Sequence, residues 1–394
     1  MLNLIGLTIT FFLAAVLLGK RSKTNADYVL TVWLLVIGVH LGLYYSVVSG
    51  RYLRFPFLLG VEIPLPLAYG PLLYLYTIEL TRPARLTWRR LIHFLPVALA
   101  YLFVMPFYRL PTDRKIWVYQ HQGEGFQDQQ LILLITIILS GTTYALASWI
   151  ELRRHRKRID YQFSNTEKIN LAWLRYLIAG ISVIWLTIFL DSEAYIFGAV
   201  VVFVFFMGYF GIRQTGIFTD QPRLAFEWDR APHAMAHVPA PAPAKQESGG
   251  EMIVADEVIE QNATTAGKYA KSGLSEELGR AIHQNLENLM ERERLFTDPE
   301  LTLAELSEKL GTNANHLSQV INTIEEKSFY DYINALRIAE FIRIAALPEN
   351  QKYTLLHLAL ECGFNSKTSF NRNFKKHTGL SPSEFLTQRH INLE

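Results

Sequence analysis

Leu358-Ala359-Leu360-Glu361-Cys362-Gly363-Phe364-Asn365-Ser366-Lys367-Thr368-Ser369-Phe370-Asn371-Arg372-Asn373-Phe374-Lys375-Lys376 reads as a helix, a glycine turn and a second helix. Leu355, Leu358 and Ala359 make the apolar face of the first helix, and Gly363 permits the turn. Asn365 or Ser366 caps the second helix, which turns Phe370 and Phe374 inward. Lys367, Thr368, Asn371, Arg372, Lys375 and Lys376 remain along or near its outer side. Two helices joined in this way present the second to the major groove of DNA. One such copy is weak as a signal, because many helical proteins contain a glycine turn.

A second copy stands about 52 residues upstream. Thr302 and Glu305 form a capping box, in which hydroxyl and carboxylate each satisfy a free backbone amide. Leu303, Leu306 and Leu310 give the apolar face, Gly311 the turn, and Asn313 the next cap. Leu317, Val320 and Ile321 face inward, leaving Asn315, His316, Ser318, Gln319 and Asn322 mainly on the polar side. The two helix-turn-helix units thus lie at about 302–323 and 354–377, with a long helix predicted near 328–346 to join them. Ser381-Pro382-Ser383-Glu384 starts a last helix with Pro at its first position. Upstream, Leu274, Leu278, Ile282, Leu286 and Leu289 form one stripe, predicted to pack on this domain.

Charge is unevenly spread. From Leu274 to Glu394 there are 13 Lys plus Arg against 17 Asp plus Glu, a net −4. Phosphate binding needs local positive charge. It is gathered in Lys367, Arg372, Lys375, Lys376 and Arg389, with Glu384 the only acid from 366 to 390. The first unit's outer face carries no Lys or Arg and only His316 as a titratable group. A monomer is therefore expected to bind DNA weakly, and a homodimer or a high local concentration to help.

The 394-residue chain is half hydrophobic with a mean hydropathy of +0.13, an average that conceals a split. Residues 1–213 are almost continuously apolar. A membrane helix needs ~20 such residues, and seven segments qualify: roughly 2–19, 28–49, 60–80, 91–108, 130–151, 171–190 and 194–212. Glu62, Pro64, Pro66 and Pro71 interrupt the third. Loops after the first, third and fifth segments carry 13 basic residues, from Lys20 to Lys168, against 5 in the alternate loops. Basic loops stay cytoplasmic, so the N-terminus is expected outside and the C-terminus inside the inner membrane. His40, Glu62, His93, Arg175 and Asp191 are the intramembrane polar groups. Most lie near segment ends and read as interfacial or snorkelling. Glu62 is the candidate sensing residue. No pairing of acids with bases suggests an ion path. Residues 214–270, with Val238-Pro239-Ala240-Pro241-Ala242-Pro243-Ala244 and Ser248-Gly249-Gly250, read as a flexible cytoplasmic linker. Asn262-Ala263-Thr264 matches the glycosylation pattern on what is expected to be the wrong side of the membrane.

Cys362 is the chain's one cysteine, so no internal disulfide forms, and it reads as a small core residue. No Cys/His spacing suggests a metal, and no catalytic constellation or phosphate loop is present. No cofactor and no enzyme activity are expected.

The stretch from Cys362 to Lys376, followed by Gly379-Leu380-Ser381-Pro382, resembles the signature of AraC/XylS-type transcription regulators, and the resemblance covers about residues 270–388. It implies that both recognition helices enter adjacent major-groove segments of promoter DNA. Base-facing positions would be Asn315, Ser318 and Gln319 on the first helix and Thr368, Asn371 and Arg372 on the second. The sequence departs from the family in its uncharged first helix and in lacking an N-terminal sugar-binding barrel. The membrane half is similar to multi-helix sensor regions attached to some bacterial members, and names no signal ligand. The expected fold class is all-α: a seven-helix transmembrane bundle (1–213), the linker, and a cytoplasmic all-helical domain (271–394) with two helix-turn-helix units. Other readings are a receptor whose C-terminal helices bind protein instead of DNA, and a transporter or membrane enzyme with a regulatory tail.

Overall fold

The computed structural model describes residues 2–82, 88–167, 169–187, 193–213, 274–389 and 391. The linker at 214–270, its Asn262 pattern, Lys168 and Asp191 lie outside the described residues. All described secondary structure is helical, apart from one isolated antiparallel bridge between Phe163 and Thr302. The chain divides into two compact units: Met1–Arg154 with Leu171–Ala240, and His155–Asn170 with Pro241–Glu394.

In the first unit, α1 (Leu2–Gly19) packs against α2 (Asn25–Val48), which starts at a Thr24–Asp27 capping box. Then come α3 (Tyr69–Thr81), α4 (Leu95–Phe103), α5 (Met105–Tyr108), α6 (Thr112–Gln120), α7 (Gln127–Asp160), α8 (Ala172–Thr187) and α9 (Glu193–Arg213). Leu17, Trp33, Leu34, Leu41, Leu73, Tyr76, Leu174, Val201 and Val204 are buried in its core.

Each of the seven apolar segments contains helix, but they are not seven continuous spans. Among the described residues only α2 and α7 are long and apolar enough to cross a membrane, and Asn3–Gly19, Ala172–Thr187 and Tyr195–Gly208 are shorter apolar helices. The third segment opens as a 3-10 turn, Leu65–Ala68, and becomes α-helical only at Tyr69. The fourth is a 3-10 stretch, Trp88–Phe94, followed by α4 and α5, with Pro96 and Pro106 near the starts of the last two. Hydropathy sums composition over a window. It does not register that each proline removes an amide donor and crowds the preceding turn. The fifth segment errs in the other direction. α7 has 34 residues, ~51 Å at 1.5 Å per residue, and carries Arg153, Arg154, Arg156, Lys157 and Arg158, which the sequence assigns to a loop.

The polar groups of this unit also differ from expectation. Glu62 and His40 are buried. Tyr119 donates to the Glu62 carboxylate, Tyr101 and Tyr108 donate to the carbonyls of Val61 and Gly60, and His40 Nδ1 lies 2.6 Å from the Tyr69 hydroxyl. His93 Nδ1 is 3.0 Å from the Tyr144 hydroxyl, while Arg175 is exposed. Acid–base pairs, unforeseen in the sequence, do form: Lys20 with Asp27 at 2.9 Å, Arg82 with Glu151 at 2.8 Å, and Arg90 with Glu79. Basic residues counted only for orientation are thus partners of buried acids on the helices.

The second unit holds α10 (Glu276–Glu293), α11 (Leu303–Lys309), α12 (Ala314–Ile324), α13 (Phe329–Ala345), α14 (Leu355–Glu361), α15 (Lys367–Thr378) and α16 (Pro382–Gln388). Its apolar residues form two clusters. One gathers Ile282, Leu286 and Met290 of α10 with Leu303, Leu306, Leu317, Val320 and Ile321. The other gathers Leu358, Ala359, Cys362, Phe364, Phe370, Phe374 and Leu386. α13 is the shared wall: Phe329, Tyr332 and Ile333 enter the first cluster, and Ile338, Phe341 and Ala345 the second. A helix buried on both sides needs apolar residues around most of its circumference. On α10 the buried stripe is Gly279, Ile282, Leu286 and Met290, and Leu278, assigned to it from spacing, is 46% exposed. Burial pushes the Cys362 thiol up to about 12, as suits a core residue.

Candidate nucleic-acid interface

Each helix of the two units starts where its cap stands. Thr302 and Glu305 make both hydrogen bonds of the first box, and Ser381 and Glu384 those of the last, with Pro382 opening α16. Asn313 accepts from the His316 amide at 2.7 Å to open α12. For α15 the choice between two caps falls to Ser366, whose hydroxyl accepts from the Ser369 amide at 3.0 Å. The turn glycines lie in the left-handed region, Gly311 at φ +64° and Gly363 at φ +93°. Gly363 is also sterically required: a Cβ there would stand 2.7 Å from the Thr297 carbonyl oxygen and 2.8 Å from that of Phe296.

On α15, Phe370 and Phe374 are buried, while Lys367, Thr368, Asn371, Arg372, Lys375 and Lys376 are all exposed. Lys375, Lys376 and His377 occupy its last turn, where the helix dipole favours cations. Arg372 does not extend freely. It donates to the Tyr330 hydroxyl at 2.7 Å, as does buried Asn373 at 2.8 Å, and Lys376 pairs with Asp331 at 2.6 Å. On α12, Asn315 is exposed and Ser318 and Gln319 are half-buried. Asn322 donates to the Ser318 carbonyl at 2.8 Å, tying that side chain to its own helix.

Sequence reasoning missed the groups that hold the interface. Tyr330, Asp331, Asn334 and Arg337 sit on α13, which reads only as a joining helix. Arg337 is 1% exposed and donates to the carbonyls of Phe296 (2.6 Å), Asp298 (2.7 Å) and Ser164 (3.3 Å) and to the Ser164 hydroxyl (3.1 Å). Burial lowers its pKa to about 10, so it remains a cation at neutral pH. An arginine at an internal position of an apolar helix was the available signal, since a buried charge must find acceptors. Packing also assembles a group that spacing conceals. His283, Glu287 and Glu325 bring ligand-type atoms within 4.8 Å of one another, and His283 Nε2 lies 2.9 Å from Glu325. Burial works to raise the Glu325 carboxyl, but hydrogen bonds with His283 and Lys327 outweigh it and hold it below the ordinary carboxylate range. These contacts join α10 to the end of α12.

Two capped helix pairs on one buried joining helix, each exposing a polar helix face, define a double helix-turn-helix domain. Residues 306–388 match the family described as "Helix-turn-helix domain". The chain is 26% identical over 138 residues to the melibiose operon regulatory protein of Escherichia coli (strain K12), a match covering 35% of this chain and 41% of that protein. It is 32% identical over 90 residues to an uncharacterized HTH-type transcriptional regulator of Staphylococcus aureus (strain COL), covering 23% of this chain and 12% of that one. The chain thus spans less than half the length of these curated relatives. No solved structure matches. The C-terminal domain is a helix-turn-helix domain of the AraC type, a class of transcription regulators and not of enzymes.

Proposed function

We propose that the chain is a membrane-bound one-component transcription regulator. The C-terminal domain binds double-stranded promoter DNA, and the N-terminal half anchors it in the inner membrane and senses a signal ligand. The observation that carries the DNA reading is α15: four cations and two amide or hydroxyl side chains exposed on one capped helix whose aromatic side is buried. Phosphate contacts from such cations position a protein, and polar side chains read base edges. We assign Asn315, Ser318, Gln319, Thr368, Asn371 and Arg372 to bases, and Lys367, Lys375 and Lys376 to phosphates.

The membrane reading is supported by α7. Only 28% of its most apolar stretch is buried. Leu131, Ile132, Ile135, Leu139, Leu146 and Ile150 are exposed in a row too apolar for water. The basic-residue asymmetry orients the chain with its N-terminus outside and its C-terminus in the cytoplasm. Buried Glu62, held by Tyr119, is the group we assign to sensing. Weak binding by a net-acidic domain favours a homodimer, and several copies in one membrane patch raise the effective concentration.

Mapping DNA bound by the full chain in cells, with a salt-dependent mobility shift on the recovered duplex, tests the DNA reading. Specific retention that falls steeply with salt is expected, and salt-insensitive capture of a protein partner without DNA would replace it. Reporter fusions at residues 120 and 230 should report opposite sides of the membrane. The same side for both would end the orientation.

A further inference from the structure

The second unit contains a piece of chain from far upstream, His155–Asn170, which is the end of α7 and most of the connection to α8. Its middle is held at one isolated antiparallel bridge. The Leu303 amide donates to the Gln162 carbonyl at 3.0 Å, the Ser164 amide to the Leu301 carbonyl at 3.3 Å, and Phe163 bridges Thr302. Ser164 is 1% exposed. Its hydroxyl donates to the Leu301 carbonyl at 2.7 Å, and its carbonyl accepts from Asn334 (3.2 Å) and Arg337 (3.3 Å). Half of the acceptors of the buried Arg337 guanidinium therefore belong to this one serine.

The two ends of this segment carry acids toward the second recognition helix. The Glu167 carboxylate accepts from the Ser366 hydroxyl at 2.7 Å, at the N-terminal cap of α15. At the other end, burial raises the half-buried Asp160 carboxyl; the charges of Arg156, Lys376 and Arg372 oppose that rise, and Asp331 adds to it. Helix N-termini, arginine and lysine are also the groups that bind DNA phosphates. The segment engages the edge of α15 marked by Ser366, Arg372 and Lys376. Thr368, Asn371 and Lys375 lie on the neighbouring, open face of the helix.

We propose that residues 160–167, from the last residue of α7 onward, are an autoinhibitory docking segment, called the strand for its one bridge. Ser164 seats it on Arg337 and Asn334, and Glu167 on Ser366, with Asp160 adding negative charge, covers one edge of α15 that DNA would otherwise contact. Full DNA binding then requires the strand to leave, and DNA and the strand exclude one another. The strand is continuous with the last turn of α7, so a change in the apolar half has a direct covalent route to the DNA-binding edge.

This inference rests on the DNA-binding reading above, and the test separates the two. Phe163→Cys with Thr302→Cys is made in the full chain, in membrane vesicles. Native Cys362 is buried and does not compete. Oxidation is followed by blocking of free thiols with a polyethylene-glycol maleimide, and binding is measured on a duplex selected from a random pool by the wild-type chain. The expected result is loss of both engineered thiols on oxidation, with binding about tenfold weaker than after reduction, within the usual range of coupling between sites. Asp160→Asn with Glu167→Gln, which keeps the shapes, should bind the duplex several-fold more tightly than wild type. Thiols that stay reactive after oxidation would overturn the docking. A cross-linked chain that binds as well as the reduced one would overturn the inhibition. If the thiols pair but no duplex is ever selected, the DNA reading fails and takes the inhibition with it, leaving the docking in place.

Discussion

The two helix-turn-helix units share a plan and differ in what they expose. α12 shows solvent an asparagine and partly covered serine and glutamine, whereas α15 shows Lys367, Arg372, Lys375 and Lys376. Their turns differ as well. Gly311 has open space where a Cβ would stand, while Gly363 faces two backbone carbonyls of the Phe296–Thr297 loop at under 3 Å. That loop also supplies acceptors to Arg337, so the second unit is pressed against the structure that organises the whole domain. The comparison teaches a division of labour. The first pair packs on α10 and α13 and, on the proposed DNA reading, offers polar side chains with little electrostatic grip. The second supplies the grip and is built into the interior framework.

The turns allow the hardest attack on that comparison. Gly363→Ala combines left-handed strain with a backbone collision and should cost on the order of 3 kcal/mol. Gly311→Ala meets only the strain, about 1 kcal/mol. Chemical denaturation of the two variants should separate them clearly, and equal losses would mean that the second turn is not wedged as described. Next in size is base reading. Arg372→Ala should weaken binding to a selected duplex by ~1–3 kcal/mol, with helix content unchanged, while Asn315→Ala should alter base preference at one position at the lower end of that range. Near-wild-type binding by Arg372→Ala would place α15 outside the groove. The smallest effect expected is on salt. Lys376→Ala should lower the slope of log K against log salt by about 1, on specific and non-specific DNA alike. Asn315→Ala should leave the slope unaltered, because no phosphate charge is removed.

Local chemistry was legible because it is written in neighbours. Caps, turn glycines and inward-facing aromatics depend on residues three to eight positions apart, and Thr302, Asn313, Gly311, Gly363, Phe370, Phe374 and Ser381 stand in the roles that spacing predicts. The stripe along α10 was legible at Leu274 just ahead of the helix, at Ile282 and at Leu286, but Leu278 is exposed, Leu289 is only partly buried, and Gly279 and Met290 are buried instead, because hydrophobicity alone does not say which residue meets a partner. Windowed hydropathy located the apolar segments of the first half. The interruption of the third was legible in its prolines, whereas the break in the fourth was not, because proline acts through one missing hydrogen bond and not through polarity.

By itself, then, the sequence determined that the chain has an apolar half and a polar half, that the polar half carries two capped helix pairs, and which faces of those helices are polar. Tertiary structure alone decided what those faces touch. Tyr330 and Asp331 meet Arg372 and Lys376 across more than 40 residues, and Ser164 meets Arg337 across 173. Such pairs leave no periodic trace, because a buried guanidinium requires only that acceptors arrive from somewhere. Which part of the chain supplies them is settled by how the helices pack, and here a segment that reads as a basic loop delivers a serine to Arg337 and a glutamate to the cap of α15.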